Sequence, residues 1–194
     1  MTIRRATRDD AGAIAHVHVA SYRETYSGML PEAAIARNTL ERRRALWDRV
    51  LTEAARDVFI AAERDDVVGF ISGGAMPESI RGRAPIPDQD AYVDALYVLA
   101  AWHGRGIGRA LMGALAQRLR ARGFRSLALH VVAGNSGRRF YERLGARFIA
   151  AEPYDGGVDG ACSSPTAGAT SRACRPARQW TVQPRGGEPQ PDCT

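Results

Sequence analysis

Gly104, Gly106 and Gly108 stand at alternate positions in the segment His103-Gly104-Arg105-Gly106-Ile107-Gly108-Arg109. Glycine has no Cβ, so the backbone N–H groups of such a loop can close on a bulky anion. A helix beginning there adds unpaired donors and the positive end of its dipole. The chemistry offered is the holding of a pyrophosphate. Two nucleotide-binding patterns fail. A P-loop needs a lysine after its last glycine, and all 27 basic residues of this chain are arginine. A dinucleotide fingerprint needs glycine where Arg109 stands and an acid at the end of the next strand, where the chain reads Leu129-His130-Val131. A tight turn whose glycines only permit close packing is the plain alternative.

The elements around the loop must place it. Before it, Tyr92 to Leu99 is an apolar run with strand character. After it, Ile107, Leu111, Leu115 and Leu119 recur every fourth residue, with Arg118, Arg120 and Arg122 off that stripe, and Gly123 closes the helix. Ser126 to Val132 reads as the next strand, so strand, helix and strand imply a parallel pair with a right-handed crossover. Upstream, Thr2 to Ala6 is a short strand. Thr7 to Asp10 cap a helix bearing Ile14, Val17 and Tyr22, and Tyr22, Tyr26, Gly28 and Pro31 end it. Leu40 to Leu51 is a second helix, and Asp57 to Ala62 and Val67 to Ala75 form a hairpin. Residues 76 to 90 form a loop bordering the site. Asn135 caps a further helix, with Phe140 and Leu144 inward and Gly145 at its end. His16 and His18, two apart on the first helix, point to different faces and do not make a metal pair.

These residues resemble the acyl-CoA-binding motif of the GNAT superfamily of N-acetyltransferases, Gln/Arg-x-x-Gly-x-Gly/Ala after an apolar strand, here His103 to Gly108 with His103 replacing Gln or Arg. About 30 residues on, Asn135-Ser136-Gly137-Arg138-Arg139-Phe140-Tyr141-Glu142-Arg143-Leu144-Gly145-Ala146 is similar to the second signature, Asn-x-x-Ala-x-x-Phe-Tyr-x-x-Leu-Gly-Phe. Gly137 and Ala146 depart from it, and four residues rather than five separate Asn135 from Phe140. Ser21 to Pro31 looks like the segment between the first two helices of one bacterial subgroup, and the resemblance spans residues 2 to 160. It implies an α/β fold in the broad sense, with α+β mixed character. A central, mostly antiparallel sheet would carry one parallel strand pair and helices on both faces.

The resemblance also implies roles. Acetyl-CoA would be the co-substrate, with no metal, and the reaction direct attack of an amine on the thioester. Leu96, Tyr97 and Val98 would meet the pantetheine arm, with the Val98 N–H on the thioester oxygen. His103, Gly104, Arg105, Gly106, Ile107, Gly108 and Arg109 would hold the pyrophosphate, and Asn135 the arm. Tyr141 would protonate the leaving thiolate. Asp94 or Glu24 would take the amine proton, a choice left open, and Glu24 and Tyr26 would contact a small-molecule or peptide amine.

Composition bounds the rest. With 45% hydrophobic and 25% charged residues in 194, the chain suits one domain with a full core. Absence of a long apolar run or apolar leader implies a cytoplasmic protein without a membrane partner. The net charge of +6 suits a polyanion such as CoA, and its scattered arginines do not call for nucleic acid. Residues 161 to 194 hold five of the ten prolines and all three cysteines, Cys162, Cys174 and Cys193, at spacings that match no zinc pattern. This tail is expected to be disordered or loosely attached beyond a domain of residues 1 to 160, where the family has its last hairpin. Such a loss would expose a sheet edge, which a homodimer could cover. A second reading follows from that departure: an acyl-CoA-binding module of the same fold with little or no turnover.

Overall fold

The computed structural model describes residues 1–53, 55–81, 90–154 and 175–182. Among the described residues seven strands form one sheet in the order β1-β2-β3-β4-β5-β7-β6: β1 Thr2–Arg5, β2 Asp57–Glu63, β3 Asp66–Ala75, β4 Ala91–Val98, β5 Leu127–Val132, β6 Arg147–Tyr154 and β7 Arg175–Val182. Only β4 and β5 are parallel; the other neighbours run antiparallel. The helices are α1 Ala11–Tyr26, α2 Glu32–Ala36, α3 Leu40–Glu53, α4 Glu78–Arg81, α5 Ile107–Ala121 and α6 Arg138–Arg143.

The fourfold stripe of α5 is the reason the sheet has a core on one face. Leu111, Leu115 and Leu119 are buried with Ile71, Val93 and Leu129. On the other face Ile14, Ala15 and Val17 of α1 and Trp47 of α3 bury Ile60 and Phe70. Both faces are thus covered by helices, as the sequence predicts. A buried carboxylate, Asp57 on β2, accepts from Arg118 at 3.0 Å and Arg122 at 2.6 Å and pairs with Arg5 at 3.3 Å, tying α5 and β1 to the sheet. Burial opposes its ionisation, but the Arg122 and Arg118 bonds prevail and hold its pKa below the usual value.

Two details differ from the sequence reading. α1 runs through Tyr22 to Tyr26, and the two rings, one turn apart, lie 4.6 Å centre to centre, so ring packing carries the helix past its expected end. In the tail, Arg175–Val182 forms β7 between β5 and β6, where a disordered or loosely attached segment is expected. Two unpaired strand edges provide its backbone bonds, and Gln179-Trp180-Thr181-Val182 has strand propensity. Pro176 lies one residue beyond the last partner of β5, Ala177, and faces only Pro153 of β6. The rest of the tail, with all three cysteines, and residues 82–89 of the loop lie outside the described residues.

Candidate active site

β4 and β5 pair only from Ala91↔Leu127 to Val93↔Leu129. Beyond that point β4 stays with β3 and β5 with β7, and the strands part. The first residue past the pairing is Asp94, which has no partner on β3 because Ser72 faces Ala95 and Gly73 faces Val93. This is a β-bulge, and it bends β4 away from its neighbour. A cavity of about 720 Å³ fills the gap, with walls from β4, β5, the end of α1, the glycine loop and α6.

Residues 94 to 98 form one wall. Leu96 and Val98 pack toward α5, Tyr97 toward α1. The Leu99 N–H donates to Val68 on β3 at 3.0 Å, so by the alternation of a strand the Val98 N–H turns to the cavity side. The Val98 carbonyl, opposite Leu99 N–H across one trans peptide, turns there too and accepts from Nε2–H of His103 at 2.7 Å. His103 thereby fastens the glycine loop to the end of β4. Gly104 and Gly106 both have φ of 77°, a conformation that costs glycine nothing, and Gly106 stands directly before α5. Gly108, Ile107 and Arg109 follow in the first turn and line the same cavity. Arg105 does not: its guanidinium lies over the Trp102 ring at 4.5 Å, so the side chain placed with the pyrophosphate by sequence is instead stacked beside the loop.

The second signature faces the first across the gap. Asn135 accepts from the Gly137 N–H at 2.8 Å, forming a turn before α6. Helix capping itself falls to Gly137, two residues later than expected. The Tyr26 hydroxyl hydrogen-bonds the side chains of Tyr97 and Asn135, and burial raises its pKa against those bonds. Tyr141 lines the cavity; burial, and to a lesser degree the nearby Tyr26, push its phenol above the usual range and keep it protonated.

The two carboxylates are already engaged. Asp94 pairs with Arg56 at 3.0 Å and accepts from the Ser72 hydroxyl at 3.2 Å. Burial raises its pKa, and the Arg56 charge opposes the rise. Glu24 accepts from the Ala100 N–H at 3.3 Å and braces α1 against the loop after β4. Every site residue expected from sequence except Arg105 therefore lines one cavity. Among the further lining residues that sequence reasoning did not assign to the site are Trp102, His130 and Arg143. His130 follows Leu129, the last partner of β4 before the strands part, its Nδ1 2.6 Å from the Tyr92 hydroxyl, and only its alternation with Leu129 and Val131 hints at that. Arg143 occupies an unspecified position of the second signature. Among the described residues no cluster of three or more His, Cys, Asp or Glu could hold a metal, and no helix is long and apolar enough to cross a membrane.

The family model for the GNAT acetyltransferases matches residues 19–146, from the second half of α1 through the glycine loop to the end of the second signature. The chain belongs to the GNAT family of acetyltransferases. It is 30% identical over 156 residues to the uncharacterised N-acetyltransferase YuaI of Bacillus subtilis, covering 80% of this chain and 85% of that protein. Among solved structures it is similar to the PaiA N-acetyltransferase of Thermoplasma acidophilum in complex with coenzyme A, with a TM-score of 0.66, 17% identity and 94% and 98% of the two chains covered. It is also similar to YncA, a putative acetyltransferase of Salmonella typhimurium with acetyl-CoA, with a TM-score of 0.67, 20% identity and coverage of 100% and 99%. GNAT membership makes this an acyltransferase, and the mixed sheet with one parallel pair is the GNAT fold.

Proposed function

We propose that this GNAT protein transfers an acetyl group from acetyl-CoA to an amine by direct attack in the cavity between β4 and β5. The observation that carries the reading is the convergence, in one cavity, of a parted parallel strand pair and a glycine loop at a helix start. The parted edge of β4 suits an amide-bearing arm that adds like a strand, and the loop and helix start suit a pyrophosphate. Two of the similar solved structures, PaiA and YncA, hold coenzyme A and acetyl-CoA respectively, which supports the same ligand here.

Each step has a residue. The arm runs along Leu96, Tyr97 and Val98, with Asn135 across from it, and the thioester oxygen meets the Val98 N–H as it gains charge. Gly104, Gly106 and Gly108 with Arg109 hold the pyrophosphate. A primary amine with pKa near 10 must lose a proton to attack, at a cost of about 4 kcal/mol at pH 7. Asp94 takes that proton, its basicity raised by burial, while Glu24 holds its wall in place. Carbon–sulfur cleavage leaves a thiolate, which Tyr141 protonates from a phenol that burial keeps neutral. Tyr26 shapes the acceptor side.

Thiol release from acetyl-CoA, followed with a panel of primary amines beside thermal unfolding with and without acetyl-CoA, tests the reading. A raised melting point together with amine-dependent thiol release is expected. A melting point that ignores the ligand would sink it. Ligand binding with no amine able to release thiol would leave only an acyl-CoA-binding module.

A further inference from the structure

We propose that Arg143 receives the ribose 3′-phosphate of coenzyme A and makes the site select the full coenzyme over its dephosphorylated form. This rests on the acetyl-CoA reading above. α6 is laid directly on the start of α5: a Cβ at Gly108 would stand 3.2 Å from the Phe140 ring. Arg143 follows Phe140 by three residues, shares that face of the helix, and lines the cavity with the glycines of the loop. Arg109 lines it from α5.

Charge distribution favours a phosphate at Arg143. Among the described residues Arg109 and Arg143 make no ion pair, while the neighbouring Glu142 is engaged by Arg138 at 3.4 Å. The lining carboxylates Glu24 and Asp94 are held by Ala100 and Arg56. Coenzyme A carries three phosphates. Two form the pyrophosphate, which the loop N–H groups and the helix start can answer; the third is a phosphomonoester on the ribose. A guanidinium presents two parallel donors to such a group, and Arg143 offers one from the wall facing the loop. Arg143 also lies in the last turn of α6, where a cation favours the helix dipole, so its test must separate the two roles.

Titration calorimetry of the full chain with CoA and with dephospho-CoA, for the wild type, Arg143→Gln and Arg143→Lys, does so. We expect the wild type to bind CoA at least about tenfold more tightly than dephospho-CoA, the scale of one charge-assisted contact. Arg143→Gln should lose that preference by weakening CoA alone, and Arg143→Lys should keep part of it. Equal weakening of both ligands in Arg143→Gln, or no preference in the wild type, would overturn the proposal. Should Arg143→Gln fail to fold, Arg143→Lys decides: a reduced preference with an unchanged melting point is expected, and a preference equal to the wild type's, or equal weakening of both ligands, also overturns it. A wild type that binds neither ligand fails the acetyl-CoA reading itself, whereas one that binds both alike fails only this assignment.

Discussion

Lowering the pH from 7 to 5 should drain stability from this protein through one buried histidine. His18 is 6% exposed, accepts from the Trp47 indole N–H at Nδ1 over 3.2 Å, and stacks on Tyr97 with ring centres 5.0 Å apart. Burial, with the Arg43 charge adding to it, lowers its pKa from 6.5 to about 3. The unfolded chain therefore takes up a proton near pH 6.5 that the fold refuses until about pH 3. Stability is complete above the unfolded value and falls as pH drops through that window, approaching about 1.4 kcal/mol per pH unit and about 2 kcal/mol in all by pH 5. Asp10 and Asp57, whose pKa values are lowered, lose their contributions only below the ordinary carboxylate range. Asp94, whose pKa is raised, acts in the opposite sense. Urea unfolding of the wild type and of His18→Gln, which keeps an acceptor for Trp47, cancels these other groups in the difference. The wild type should lose about 2 kcal/mol more than the variant between pH 7 and pH 5. Parallel losses in the two proteins would refute the burial argument.

Four further outcomes follow from the geometry. Tyr141→Phe should lower kcat by about 10² while leaving the calorimetric affinity for CoA unchanged, since only the proton donor is removed. Gly73→Ala should destabilise by about 2 kcal/mol in urea unfolding, because its Cβ would stand 2.7 Å from the Tyr92 carbonyl and 2.8 Å from Leu115. Asp57→Asn should cost about 2 kcal/mol by the same measurement, its charged bonds to Arg118 and Arg122 being lost from a side chain 2% exposed. Deleting residues 161–194 removes β7 and leaves β5 and β6 without their shared partner, so calorimetry should show the loss of cooperative melting.

Periodic elements were legible in the sequence, and elements built by tertiary contact were not. The α5 stripe at Ile107, Leu111, Leu115 and Leu119 is a local pattern, and all four side chains are buried where it places them. The glycine loop is equally local, because a backbone able to close on an anion needs residues without Cβ. β7 has no such signature: Arg175-Pro176-Ala177-Arg178 looks polar and broken, and only the gap between β5 and β6 makes a strand of it. Site residues divide in the same way. Those inside motifs could be read by resemblance, whereas the partners that occupy them could not. Nothing in the sequence tells that Arg56 pairs with Asp94, that Ala100 holds Glu24, or that Arg105 folds over Trp102.

A single extra residue in β4 explains why there is a cavity at all. Ser72 and Gly73 face Ala95 and Val93, so Asp94 is the residue by which β4 outruns β3. The bulge increases the local twist and swings residues 94 to 98 off β5, whose pairing with β4 ends one residue earlier at Val93↔Leu129. Gly73 permits the close approach this requires, since the Tyr92 carbonyl comes where its Cβ would be. Parting two parallel strands in mid-sheet leaves backbone groups without ladder partners, a cost a core strand would not bear unaided. The fold offsets it from both sides: His103 takes the Val98 carbonyl, and on the α1 face the chain of Trp47, His18, Tyr97, Tyr26 and Asn135 braces the opened strand against the helices. The contacts that stabilise the bent β4 are therefore the contacts that orient the cavity wall. A variant in that aromatic chain should change affinity and stability together, whereas Tyr141→Phe should change neither.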